Sequence, residues 1–186
     1  MGPRPVATGR AVWVLRHAKA AQHADDDHSR PLTSRGTRQA DELARYLAAS
    51  PVAGVALPGT VVCSSARRVV QTAELVAVGL GPDVELFVED ALYHADADDV
   101  LDRLRALADD GASVMVVGHN PTLHDVALLL LAGADDAGRS RLEQGFPTAA
   151  LAVVALPAGS WGAVAPGTGT LLDLWTPGRA ERGRPE

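Results

Sequence analysis

The chain has 186 residues, 47% of them hydrophobic and 22% charged, with a net charge of −6. That length suits one domain with a substantial core, and that balance excludes a disordered or fibrous chain. The acidic charge, with no basic stretch anywhere, excludes a general nucleic-acid binder, so an anionic ligand would need a local pocket of arginines and histidines.

Residues 1–10 (MGPRPVATGR) are rich in Pro, Gly and Arg, lack periodic apolar positions, and contain no apolar run that would read as a secretory signal; a flexible tail is expected. Ala11 to Leu15 (AVWVL) is a short apolar run suited to a strand buried on both faces. An acidic loop follows, and then Thr33 can cap a helix with Ala40, Leu43, Ala44 and Leu47 on one face. Thr60 to Cys63 is a second strand, and the next helix places Val69, Ala73, Val76 and Leu80 on one stripe. Cys63 is the lone cysteine, which rules out an internal disulfide and a cysteine-based zinc site. Val84 to Val88 makes a third strand. Asp96 or Asp98 starts a helix with Leu101, Leu104 and Ala108 facing inward, and Gly111 is expected to end it. Ser113 to Val117 is the clearest strand. After Gly118-His119-Asn120-Pro121 comes a helix whose buried stripe is Leu123, Val126, Ala127, Leu130 and Leu131. Its apolar stretch, residues 126–132, is too short to span a bilayer. Ala149 to Leu156 and Thr170 to Trp175 complete the strands, and residues 177–186 form a second flexible tail.

This alternation predicts a single domain over residues 11–176, a three-layer α/β/α sandwich around a mostly parallel sheet. With aromatics at only 4%, Ala, Val and Leu must do the packing. Such sheets bind ligands beyond the carboxyl ends of their strands. Three polar clusters fall at three of those ends: Arg16-His17, Ser64 to Arg68, and His119-Asn120.

Phosphoryl transfer needs an in-line nucleophile and positive donors around the equatorial oxygens. A neutral His17 imidazole can attack, and the Arg16 guanidinium can clamp. Arg67 and Arg68 open a helix, where the dipole disfavours cations, so one of them is expected to serve a bound anion. Adjacent helical residues diverge, so only one should reach the pocket. A protonated His119 could stabilise the transferring group.

In this order, LRHAKA, RPLTSRG, CSSARRVVQTAE, VVGHNPTL and FPTAAL resemble the histidine phosphatase superfamily, of phosphoglycerate-mutase-like fold. Among its members the chain looks most like the small SixA-type phosphohistidine phosphatases, from about Val12 to Leu151. The resemblance implies that His17 is the nucleophile, with Arg16 and Arg68 as phosphate-binding arginines. Arg68 takes that role over Arg67 because it lies three residues before Gln71-Thr72. His119 matches the second pocket histidine, and the backbone of Asn120 is a further candidate donor.

Larger members of the superfamily carry a glutamate proton donor, and the candidates at that place are Glu89 and Asp90, with Asp90 nearer the expected spacing. A weak acid there favours a labile phosphoramidate over an alkyl ester. His23, Asp25, Asp26, Asp27 and His28 read as a flexible acidic loop that could rim the site, not as a metal site. His94 with Asp96, Asp98 and Asp99 reads as a helix-capping region, and Lys19 as a surface lysine near the pocket. The expectation is therefore a soluble cytoplasmic phosphatase needing no metal or cofactor, with a phosphorylated protein (phosphohistidine) or small phosphorylated molecule as substrate and neither nucleic acid nor membrane as partner. A small-molecule phosphatase of the same fold and a non-catalytic phosphate-binding module are the rivals.

Overall fold

The computed structural model describes residues 9–49, 52–133 and 137–178. Most of each expected tail, residues 1–8 and 179–186, lies outside the described residues. Six strands form one sheet in the order β3-β2-β4-β1-β5-β6. They are β1 (Ala11–Arg16), β2 (Thr60–Ser64), β3 (Glu85–Glu89), β4 (Ser113–Gly118), β5 (Leu151–Ala155) and β6 (Thr170–Trp175). Strands β1 to β4 pair in parallel, while β5 runs antiparallel to both β1 and β6. The sheet is mixed and mostly parallel, as the alternating pattern requires.

Strand periodicity divides the core into two. From β1, Ala11, Trp13 and Leu15 point to one face and join Met115, Val117, Val61 and Cys63. There they meet the apolar stripes of α1 (Ser34–Ala48) and α2 (Arg67–Leu80). Val12 and Val14 point to the other face, against α3 (Ala97–Arg105), α4 (Thr122–Leu130) and α5 (Ala137–Glu143). Helices α1 and α2 touch closely because Gly79 has no side chain: a Cβ there would run into the Ala44 carbonyl. Among the described residues no helix is long and apolar enough to cross a membrane.

Local signals explain the helix starts. The Thr33 hydroxyl accepts from Gly36 N at 3.1 Å, and Asp96 caps α3 in a reciprocal box with Asp99. Three expectations need correction. Helix α3 ends at Arg105, well before Gly111, and leaves Ala108 exposed. Beyond that end, Asp109 accepts from Arg10 Nη2 and from the Trp161 backbone N–H. Arg10, assigned to the tail, is therefore part of the domain, its cation lying 4.9 Å over the Trp161 ring. At the other boundary, Gly178 N donates to Glu42 Oε1 at 2.9 Å.

The order of strands positions the site. After β1 the chain passes to β2 on one side, and after β4 it crosses to β5 on the other. The carboxyl ends of β1 and β4 thus flank a crevice where the connections diverge.

Candidate active site

Arg16 ends β1, Ser64 ends β2 and Gly118 ends β4, so the residues just beyond them share one edge of the sheet. A cavity of about 490 Å³ opens there, and its walls include Arg16, His17, Arg68, His119 and Asn120. All five residues singled out for substrate contact therefore meet in one place. Asp27, Arg30, Tyr93, His94, Lys19 and Thr148 complete its rim.

The His17 ring is fixed by its own backbone. Its Nδ1 lies 2.7 Å from the Ala18 carbonyl, which can only accept, so Nδ1 carries the proton. Nε2 is left with its lone pair. The turn itself is held by two side chains that accept from its backbone: Ala18 N donates to Thr72 Oγ1 and Lys19 N to Gln39 Oε1, each at 3.0 Å. Burial, followed by the charges of Arg68, Arg16 and Arg30, pushes His17 down to about 4 despite the Ala18 bond. The imidazole is neutral at physiological pH and available as a base or nucleophile.

His119 faces it, ring centroids 5.5 Å apart at an edge-on angle. Arg68 Nη2 lies 3.3 Å from His119 Nδ1, and a guanidinium only donates, so Nδ1 accepts and Nε2–H is directed to Ser64 Oγ at 3.0 Å. Burial and then the Arg68 charge push His119 down to about 3. A cationic His119 was expected, whereas the protein's own groups keep it neutral. A dianion beside Nδ1 supplies the opposite field and favours its protonation.

Three guanidinium groups line the same space. Arg16 Nη1 and Asn120 Nδ2 both donate to the Phe146 carbonyl, at 2.8 and 2.9 Å. The Nε atoms of Arg16, Arg30 and Arg68, and Oδ1 of Asn120, are buried without a hydrogen-bond partner. Buried polar groups are ordinarily satisfied, so such a concentration of unpaired atoms around one cavity sets this end of the sheet apart. Arg67 is exposed, in keeping with the one-of-two expectation for the arginine pair.

The acid assignment needs correction. Asp90 is exposed on a 3₁₀ turn (Asp90–Tyr93) and does not line the cavity. Glu89 is held by Arg103, Nη2 to Oε1 at 2.8 Å. The turn instead delivers Tyr93 and His94 to the rim, so His94 does more than flank the α3 cap. The carboxylate that does line the cavity is Asp27, from the loop expected to be flexible. That loop is tied down: Arg67 N donates to the His28 carbonyl at 3.0 Å, and His28 Nε2 lies 3.0 Å from Ser65 Oγ. Asp27 was expected only as part of a flexible rim and Ser64 only as part of a strand-end cluster, and Arg30 was not singled out from the sequence. Arg30 opens the RPLTSRG block and Ser64 sits at a strand end, which were the available signals.

Known proteins are similar to this chain in sequence and fold. A sequence model of the histidine phosphatase superfamily (branch 1) matches residues 12–99. A functionally uncharacterised protein of Mycobacterium tuberculosis is 35% identical over 169 residues, covering 88% of this chain and 99% of its own. A structure assigned as the phosphohistidine phosphatase SixA of Nakamurella multipartitia superposes with a TM-score of 0.78 at 28% identity, covering 94% of this chain and 99% of its own. The protein histidine phosphatase SixA complexed with tungstate gives a TM-score of 0.70 at 28% identity, covering 90% of this chain and 97% of its own. With this SixA-like fold and its paired histidines and arginines, the chain belongs to the histidine phosphatase superfamily and carries a hydrolase active site.

Proposed function

We propose that the protein is a metal-independent phosphatase that works through a phosphohistidine on His17 and removes phosphoryl groups from phosphohistidine in proteins. The observation that carries this reading is the His17 Nε2 lone pair, fixed by the Ala18 bond and set among Arg16, Arg30 and Arg68. In the first step Nε2 attacks phosphorus in line, and the P–N bond to the substrate imidazole breaks as the bond to His17 forms. Arg16, Arg68, a His119 that takes a proton from solvent as the dianion arrives, and the backbone N–H of Asn120 hold the equatorial oxygens. Water then attacks phospho-His17, its oxygen joining phosphorus and its proton leaving with phosphate or to solvent, and neutral His17 is restored.

The chemistry of the rim favours the phosphoramidate. An alkoxide leaving group needs a neutral acid beside it, yet the Asp27 carboxyl is pushed down to about 2 by the Tyr93 hydrogen bond and the two arginines. Phosphohistidine needs less help, because the second nitrogen of its own ring takes up a proton before the P–N bond breaks. The likeness to a protein histidine phosphatase that accepts tungstate, a tetrahedral oxyanion, supports the same assignment.

The test is turnover of a phosphohistidine peptide against an aryl phosphate, both with a metal chelator present. Peptide turnover at least a hundredfold above the ester is expected. The reverse preference would make the protein a small-molecule phosphatase, and loss of activity with chelator would contradict the metal-independent mechanism.

A further inference from the structure

Arg68 has only 5% of its side chain exposed, and besides the Nη2 contact with His119 each of its terminal nitrogens donates to the same residue of the rim. Nη1 donates to the Asp27 carbonyl at 2.6 Å and Nη2 to Asp27 Oδ2 at 2.9 Å. The other oxygen, Oδ1, pairs with Arg30 Nη2 at 2.6 Å, and the Tyr93 hydroxyl donates to Oδ2 at 2.8 Å. A carboxylate bridging two guanidinium groups offers them two anionic oxygens, as a phosphoryl group would.

We propose that Asp27 is the resident counter-anion of this pocket, competing with the phosphoryl group for Arg68 and Arg30 and thereby setting how tightly phosphate is held. The inference rests on the phosphatase reading above and extends it to product release. Three guanidinium groups in one cavity repel one another and would grip inorganic phosphate, which each turnover must expel. Binding that holds product as firmly as the transition state does not accelerate the reaction. A tethered carboxylate lowers phosphate affinity, because it meets the arginines at high effective concentration.

The tether is built for this. Asp26 Oδ1 accepts from Ser29 N at 2.8 Å, and His28 is pinned to Ser65 and Arg67, so the segment carrying Asp27 is held at both sides. The Asp27 side chain is nevertheless 55% exposed, so it can swing toward solvent when phosphate takes its place. Its carboxyl stays ionised throughout the physiological range.

Calorimetric titration of the full chain with inorganic phosphate, in a buffer free of other multivalent anions, tests this. Asp27→Asn should bind phosphate about tenfold more tightly than the native chain, the size expected for a partly buried charge interaction. Tyr93→Phe removes one bond holding the carboxylate and should tighten binding by a smaller factor; it decides the matter if Asp27→Asn does not fold. Equal or weaker phosphate binding in the deciding variant overturns the proposal, since a purely structural Asp27 would lose affinity when removed. Arg68→Ala separates the two levels of the argument. If it binds phosphate as the native chain does, the phosphoryl pocket itself is misplaced and the proposal falls with it. If it loses binding while Asp27→Asn is unchanged, only the counter-anion role is overturned.

Discussion

Arg10 leads into β1 at one end of the sheet, and Arg16 closes the same strand at the other. Around Arg10, Nε donates to the Gly159 carbonyl and Nη2 to Asp109 Oδ1, each at 2.6 Å, while Nη1 donates to the Gly111 carbonyl. Its planar face also covers Trp161. Arg16 has one bond, from Nη1 to the Phe146 carbonyl, and a buried Nε with no partner. The two guanidinium groups are chemically identical and six residues apart, but one is spent on folding and the other is kept for a ligand. The same asymmetry holds for whole ends of the sheet. Beyond the amino ends, polar groups close on one another; beyond the carboxyl ends, three arginines and an asparagine retain buried atoms without partners. Preorganised guanidinium donors are what a transition state can use without reorganisation.

Paired substitutions test this contrast most strongly. Arg16→Ala should lower kcat/KM by about a thousandfold with little change in Tm. Arg10→Ala should do the opposite, leaving kcat/KM intact at 25 °C and costing about 2 kcal/mol of stability, read as a Tm lower by several degrees. If both variants lost stability equally and kept activity, the division between the two ends would be wrong.

A smaller effect sharpens the composition of the reserved end. Arg30→Ala should reduce kcat/KM by about tenfold, because its charge assists the pocket while Arg16 and Arg68 remain. Arg67→Ala, on the exposed neighbour of Arg68, should stay within about twofold as a control. Equal losses for the two variants would contradict the placement of Arg30 in the pocket and Arg67 outside it.

A last test of the reserved end uses pH. His17 and His119 sit at about 4 and about 3, below the ordinary 6.5, so the unfolded chain takes up protons that the folded chain refuses between those values. Stability should therefore decline as pH falls from 6.5 toward 4. Imidazole NMR signals of both residues in the phosphate-free protein should report neutral rings at pH 5, and midpoints near 6.5 would contradict the burial argument.

Much of this was legible in the sequence because it is carried by local patterns. The apolar runs of β1 and β4 are strands buried on both faces, and the stripe Leu123, Val126, Ala127, Leu130 and Leu131 is buried throughout. The polar residues directly after those strands had to emerge at one sheet edge. The Gln71-Thr72 pair that set the Arg68 register has a physical role, since its side chains hold the backbone of Leu32 and Ala18. What escaped notice depends on tertiary closure. Asp27 and Arg30 lie in a segment without periodicity, and it takes long-range contacts, among them the docking of His28 on Ser65 and Arg67 and of Arg30 on the Ala21 carbonyl, to bring them to the cavity. Asp90 failed for a related reason: spacing located the right turn, but not which of its side chains faces inward. Tyr93 and His94 do, and Asp90 faces solvent.

The central claim is that His17 takes the phosphoryl group. Single-turnover reaction with a labelled phosphohistidine peptide, quenched under alkaline denaturing conditions, should trap label on the protein. That label should be acid-labile, map to His17 and be absent from His17→Ala, which should also lose turnover. Steady turnover by His17→Ala, or label mapped to any other residue, would contradict the account.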